Sequence, residues 1–174
     1  LLRHLPARWR FALVHRATAN QAHHDTCPHR SCSSLSACLD ALLTWYATLA
    51  PQDLGAIPQL YTEQARFKDP FNEVSGHAAI HRIFAHMFET TERPRFEIVD
   101  RLQGHAAFVT WRFHFGLRGR LYRIDGASHL HFAPDGRVAD HRDYWDPAEE
   151  LWQKLPLLGP PVRWLRRRFT VPMR

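Results

Sequence analysis

Along Arg137–Asp146 a period-two strand pattern puts His141, Asp143 and Trp145 on one face, and Arg142 and Tyr144 on the other. A His and a carboxylate on one strand face can make an acid/base dyad, because the carboxylate fixes the imidazole's orientation and which nitrogen carries its proton. The same Asp143 could instead pair with a neighbouring Arg, or bind His129 or His141 structurally. A second carboxylate, Asp69, precedes Pro70. In an apolar cleft, desolvation raises a carboxylate's basicity toward what proton abstraction beside a carbonyl requires. At a turn, an Asp before Pro caps the backbone instead. Tyr46 lies on the apolar face of a helical stretch, where its hydroxyl either donates to an oxygen that gains charge or is satisfied within the core.

These groups come with many aromatics: six Trp, eleven Phe and four Tyr. Trp111, Phe113 and Phe115 alternate along one strand, and with Phe67, Phe71, Phe84, Phe88 and Trp145 they are expected to wall a pocket for an elongated apolar ligand. Each ring taken singly is equally a core residue. The thirteen His are scattered. His77 and His81 stand at i, i+4 without a third ligand, so solvated helix residues are the expectation and no metal site is assigned. Cys27 and Cys32, among His23, His24 and His29, match no common zinc spacing, and an odd total of three Cys argues against a disulfide framework. The sequence contains no phosphate loop, dinucleotide fingerprint or nucleophile elbow, so no cofactor is expected.

The elements that would position these side chains read clearly after residue 33. Ser33 and Ser34 are good N-caps, and Leu35, Leu39, Leu42, Leu43, Tyr46 and Leu49 recur at helical spacing, predicting a helix over 35–49. Pro51-Gln52-Asp53 opens a short second helix carrying Leu54, Ile57, Leu60 and Tyr61. A short strand follows at Ala65–Asp69, ended by Pro70, then a third helix at His77–Glu89. Strands are predicted at Arg95–Leu102, Ala106–Leu117, Leu121–Phe132 and Arg137–Asp146, separated by turns at Arg118-Gly119-Arg120 and Ala133-Pro134-Asp135-Gly136. A helical stretch over Pro147–Leu155 and an amphipathic tail at Val162–Phe169 complete the pattern. Helices followed by an antiparallel meander make an α+β layout.

Net charge sharpens the functional reading. Residues 1–36 hold five Arg and one Asp, residues 37–155 thirteen Lys/Arg and sixteen Asp/Glu, and residues 156–174 five Arg and no acid. The body is thus mildly acidic and the basic excess sits in the two flanking segments, which excludes nucleic acid as the central partner. A basic segment of this kind is usually solvated, with membrane-surface or nucleic-acid docking through it as the minority reading. No apolar run approaches the roughly 20 residues needed to span a bilayer. Leu1–Val14 is interrupted by Arg3, His4, Pro6, Arg8 and Arg10, a poor signal peptide, so a soluble cytoplasmic protein is expected. The sequence opens on Leu, so residues 1–33 are expected to include a fragment boundary or a misassigned start.

The ordered set of motifs resembles the nuclear transport factor 2-like superfamily, and within it the ketosteroid isomerases and SnoaL-like polyketide cyclases. The resemblance covers about residues 36–150. It rests on Leu60-Tyr61 before Ala65-Arg66-Phe67-Lys68-Asp69-Pro70, on Gly76-His77-Ala78-Ala79-Ile80, on Ser128-His129-Leu130-His131-Phe132, on Asp135-Gly136-Arg137-Val138 and on His141-Arg142-Asp143-Tyr144-Trp145-Asp146. It implies a cone-shaped domain with three N-terminal helices packed on a curved antiparallel sheet that encloses a pocket. It further implies that Asp69 stands where isomerases keep their proton-moving carboxylate, a group whose tuning is well described for ketosteroid isomerase. Tyr46 then stands where they keep an oxyanion-binding phenol, and Ser128 where they keep a neutral acid as second donor. Trp145 matches a pocket aromatic, which turns His141 and Asp143 inward, and Asp143 resembles the general base of SnoaL-like cyclases.

Three segments are expected: a poorly ordered extension over 1–33, the domain over 34–150 and a basic helical tail over 151–174. The leading functional expectation is a cofactor-free isomerase or cyclase-like enzyme on a polyketide- or steroid-like substrate. Asp69 and Asp143 would carry protons, His141 would orient, and Tyr46 and Ser128 would donate. Ser128, Trp111, Phe113, Phe115, Trp145, Phe84 and Phe88 would contact the ligand. The competing expectations are a non-catalytic lipid- or metabolite-binding module and a dimerisation module. A homodimer through the sheet face is expected, with Arg112, His114 and Tyr144 on it.

Overall fold

The computed structural model describes residues 34–170. The expectations for 1–33, including the group around Cys27 and Cys32, lie outside the described residues. The first helix, α1 (Leu35–Thr48), starts where the sequence says it should: Ser34 Oγ accepts the Ala37 N–H at 3.2 Å. Its apolar stripe buries Leu39, Leu42, Leu43, Trp45 and Tyr46. A 3-10 turn at Pro51–Ala56 follows, pinned by Asp53, whose carboxylate accepts the Ala50 N–H at 3.0 Å and whose carbonyl accepts from Trp45 Nε1 at 3.0 Å. The next helix, α2, is a single turn at Ile57–Leu60.

Tyr61, expected at the end of that helix, instead begins β1 (Tyr61–Lys68), which is longer than the predicted strand. Tertiary pairing decides this: β1 lies parallel to β6 (Val138–Tyr144), with Tyr61 opposite Val138 and Phe67 opposite His141. A bulge between Tyr61 and Arg66 absorbs the extra β1 residues. A three-residue strand that the sequence pattern did not show, β2 (Glu73–Ser75), pairs antiparallel with the end of β1. Gly76, at φ 86°, then turns the chain into α3 (His77–Thr90), a conformation that favours glycine.

The meander β3 (Glu92–Gln103), β4 (Ala107–Leu117), β5 (Arg120–Phe132) and β6 lies within a residue or three of its predicted bounds. The β4–β5 hairpin turns on Arg118 and Gly119, both at positive φ (51° and 72°), the geometry of a two-residue hairpin loop. The sheet order is β2-β1-β6-β5-β4-β3, curved and antiparallel except at β1/β6. Helices α1 and α3 cover one face, and the core lies between them and the sheet, a cluster in which Ile80 and Phe84 join Val109, Trp111 and Leu130. On the other face Arg112 bridges Glu97 (3.0 Å) and Asp125 (3.3 Å), His114 contacts Glu97 (3.0 Å), and Arg142 lies over the Tyr144 ring.

After β6 the predicted helical stretch splits into α4 (Pro147–Glu150), capped by Asp146 Oδ1 accepting from Ala148 N–H at 2.8 Å, and a 3-10 turn at Trp152–Lys154. The last helix is α5 (Gly159–Arg167). No helix among the described residues is long and apolar enough to cross a membrane.

Candidate functional site

The period-two reading of β6 is what the fold contains. His141 is 2% exposed and points into the core, and Asp143 follows on the same face with its side chain 16% exposed. His141 Nε2 lies 2.8 Å from Asp143 Oδ1, and Ser128 Oγ lies 2.5 Å from the same oxygen. Ser128 reaches it because β5 pairs with β6 so that Ser128 stands opposite Asp143. Trp111 Nε1 donates to Ser128 Oγ at 2.8 Å. That indole crosses the sheet because position 126 is glycine. A Cβ on Gly126 would sit 2.4 Å from the Trp111 ring.

On its other side His141 Nδ1 meets the Tyr61 hydroxyl at 2.8 Å, and that hydroxyl meets Tyr46 Oη at 2.8 Å. Burial pushes both phenols well above their usual pKa, so both remain O–H groups. The proton positions then follow from chemistry. Asp143 as a carboxylate can only accept, so the Nε2 that faces it carries an imidazole hydrogen. Nδ1 accepts from Tyr61, whose oxygen accepts from Tyr46. Trp111 donates to Ser128, which donates to Asp143. Every donor in the network points, directly or through a partner, toward Asp143 Oδ1, and Asp143 Oδ2 has no hydrogen-bond partner among the described residues.

Asp143 lines an open groove beside Lys68 and Arg142 and is also a wall residue of two apolar cavities. One, of about 30 Å³, is lined on its polar side by Tyr46, Ser128, His141 and Asp143, and has room for about one water molecule. The other, of about 410 Å³, is strongly apolar, with Phe84, Phe96, Trp111, Phe113, Phe115 and Trp145 among its lining. Phe96 ties the cavities together, edge-on to Trp111 at 5.8 Å and to Tyr46 at 5.4 Å, and stacked on Phe113 at 4.6 Å. The expected ligand contacts thus divide. Phe113, Phe115 and Trp145 line the larger cavity, Ser128 the smaller, and Phe84 and Trp111 both; Phe88 packs against the core cluster and lines neither.

Asp69 also lines the larger cavity, at its edge beside Phe71, yet its environment is different. Its Oδ1 accepts the Phe71 and Asn72 N–H groups at 2.7 and 2.6 Å, and Asn72 Nδ2 lies 3.1 and 3.0 Å from its two oxygens. Both oxygens are engaged in the turn between β1 and β2. Sequence reasoning missed Tyr61 as a member of the polar network. Its hydroxyl meets a histidine 80 positions away, a contact no local pattern encodes. His77 Nε2 sits 2.8 Å from the Tyr61 carbonyl, and among the described residues no group of three or more His, Cys, Asp or Glu is placed to hold a metal ion.

The SnoaL-like domain family matches residues 42–141, a span that runs from the second half of α1 through α2, α3 and the strands from β1 to His141 of β6. The chain belongs to that family. No curated protein sequence matches it. Among solved structures, this SnoaL-like domain is similar to AclR, a proposed hydroxylase from Streptomyces galilaeus, at 17% identity and a TM-score of 0.57, covering 71% of this chain and 100% of that one. It is similar to a ketosteroid isomerase-like fold protein from Catenulispora acidiphila solved with trimethylamine, at 16% identity and a TM-score of 0.57, covering 73% and 95%. An LEH-like epoxide hydrolase of M. tuberculosis matches at 14% identity and a TM-score of 0.55, covering 65% and 85%. At such identities the likeness is one of fold, and the polar network has to be read on its own chemistry.

Proposed function

We propose that this SnoaL-like domain is a cofactor-free acid/base enzyme of the isomerase or cyclase kind. In this reading Asp143 moves a proton next to a carbonyl of an elongated apolar, polyketide- or steroid-like substrate. The observation that carries it is Asp143 itself: a carboxylate in the wall of an aromatic cavity, held by His141 and Ser128 through one oxygen, with the other left without a hydrogen-bond partner among the described residues. A base needs that combination of fixed orientation and a spare lone pair directed by its neighbours. His141 is the positioning residue, with Asp143 on its Nε2 and Tyr61 on its Nδ1. Tyr46 reaches the network through Tyr61 and lines the smaller cavity. Asp69 forms the turn at the cavity edge and carries no proton.

The test is isomerisation of a β,γ-unsaturated 3-ketosteroid, followed as conjugated-enone absorbance, with binding followed in parallel by quenching of tryptophan fluorescence. The proposal expects turnover by the wild type and its loss in Asp143→Asn with binding kept. Steroid bound tightly but returned unchanged by the wild type, with the Asp143→Asn variant binding equally, supports the non-catalytic binding module instead.

A further inference from the structure

Helix α5 has features that the proposed reaction does not use. It is held on the domain along one edge by polar contacts. Arg163 Nη1 donates to the Gln153 carbonyl at 2.6 Å, Arg166 Nη1 to Gln153 Oε1 at 2.6 Å, and Arg166 Nη2 pairs with Glu149 at 3.1 Å. Gly159 closes that edge, since a Cβ there would meet the Gln153 carbonyl at 2.5 Å. Away from the edge, Leu158, Val162, Leu165 and Phe169 follow i, i+4, i+7, i+11 spacing, which stacks them as one stripe. Among the described residues its ends are uncovered: Leu158 is 49%, Leu165 54% and Phe169 82% exposed. Beside the stripe the charge has one sign. Residues 156–174 hold five Arg and no acid, and Arg167 and Arg168 make no ion pair among the described residues.

An exposed aliphatic and aromatic stripe on a short, Arg-rich helix of low overall hydrophobicity is the composition of an element that lies in a lipid headgroup layer. A polyanion such as RNA would use the arginines but has no use for Leu165 and Phe169; a protein groove would use the stripe but does not call for charge of a single sign. We infer that α5 seats the domain on an anionic lipid surface, with Leu158, Leu165 and Phe169 entering the acyl boundary and Arg167 and Arg168 meeting the surface potential. A helix is only about 10 Å across, so both arginines lie within about a Debye length of a surface that touches the stripe. The position suits an apolar substrate. Leu151 lines the larger cavity and leads directly into the 3-10 turn from which α5 is held. Lipid contact would therefore bring the cavity wall beside the bilayer, where such a molecule resides. The lipid contact is measured without turnover, so it fails or stands separately from the catalytic reading.

Sedimentation with vesicles of mixed phosphatidylglycerol and phosphatidylcholine, and with pure phosphatidylcholine, tests the inference. The expected result is binding to the mixed vesicles only, weakened by added salt. The Arg167→Gln/Arg168→Gln pair should bind roughly 30-fold more weakly, at about a kcal/mol per surface arginine. The Leu165→Ser/Phe169→Ser pair should lose about 10-fold or more through lost apolar insertion. All four positions are exposed, and far-UV circular dichroism checks that each variant keeps its fold. Absence of vesicle binding, or equal binding to neutral vesicles, overturns the inference. So does loss in the arginine pair with full binding in the Leu165/Phe169 pair, which is the signature of a polyanion site. A dimer that Leu165→Ser/Phe169→Ser dissolves, without vesicle binding, assigns the stripe to a second copy of the chain.

Discussion

Two carboxylates line the same apolar cavity, one in the turn after β1 and one on β6, and their surroundings differ in where the partners come from. Asp69 is held by residues two and three positions ahead of it, and both of its oxygens are engaged. Asp143 is held by Ser128 on the adjacent strand, 15 positions back, and by His141 on its own strand, and both approach one oxygen. A turn of the Asp-Pro kind satisfies its carboxylate locally, since the backbone N–H groups it caps are beside it in sequence. A strand carboxylate receives only what the neighbouring strand and its own face present, so its hydrogen bonding can be left partial. Partial satisfaction in an apolar wall is the condition for reactivity, and full local satisfaction is the condition for a stable turn.

The largest expected break in this comparison is in turnover. Asp143→Asn should lower kcat by about 10³-fold with little change in thermal midpoint, because the amide oxygen still accepts from His141 and Ser128 but cannot take a proton. Asp69→Asn should stay within a few-fold of wild type in the same enone assay. Next in size is Gly126→Ala. Its methyl group collides with the Trp111 ring, a rigid side chain that supports Ser128 and through it Asp143, so chemical denaturation should show a loss of about 1–3 kcal/mol.

The phenols on the far side of His141 give a pH signature. Below pH 10 Tyr46 and Tyr61 are protonated in both folded and unfolded chains, and stability does not depend on them. Above their ordinary value of 10.0 the unfolded chain ionises while burial keeps the folded phenols neutral, so stability falls as pH rises. The expected slope is about 1.4 kcal/mol per pH unit for each phenol, and urea titrations of Tyr61→Phe above pH 10 should show one such contribution removed. The smallest effect is Asp69→Ala, which removes the turn's acceptor and should cost about 1–2 kcal/mol in the same titrations at neutral pH.

Much of this arrangement was legible in the sequence because it is periodic. The α1 stripe and the β4–β6 alternation each repeat over many residues, period two put His141 and Asp143 on one face, and the family likeness at Trp145 turned that face inward. Helices followed by a strand meander made the α+β layout legible, and the family likeness added the cone with its pocket. What could not be read is non-local or short. Tyr61 continues a helical spacing with Leu54, Ile57 and Leu60, and only pairing with Val138 and the hydrogen bond to His141 make it a strand residue. Strand β2 is three residues long and exists through its pairing with β1. The division between Asp69 and Asp143 was open for the same reason. Both are carboxylates near aromatics, and which one keeps a spare oxygen depends on partners that strand pairing brings together. Phe88 shows the limit of helical spacing as well: one turn from Phe84, it packs on the core cluster rather than lining the cavity.

The most direct test of Asp143 as the base is proton exchange rather than product formation, since exchange needs no completed isomerisation or ring closure. An apolar cyclic ketone, the β,γ-unsaturated 3-ketosteroid or its saturated analogue, is incubated in heavy water and deuterium next to the carbonyl is followed by NMR. The measurement compares wild type, Asp143→Asn and Asp69→Asn. The account predicts exchange catalysed by the wild type and by Asp69→Asn, with loss of about 10³-fold in Asp143→Asn. Exchange that survives in Asp143→Asn and disappears in Asp69→Asn would contradict it, and would move the base to the turn after β1.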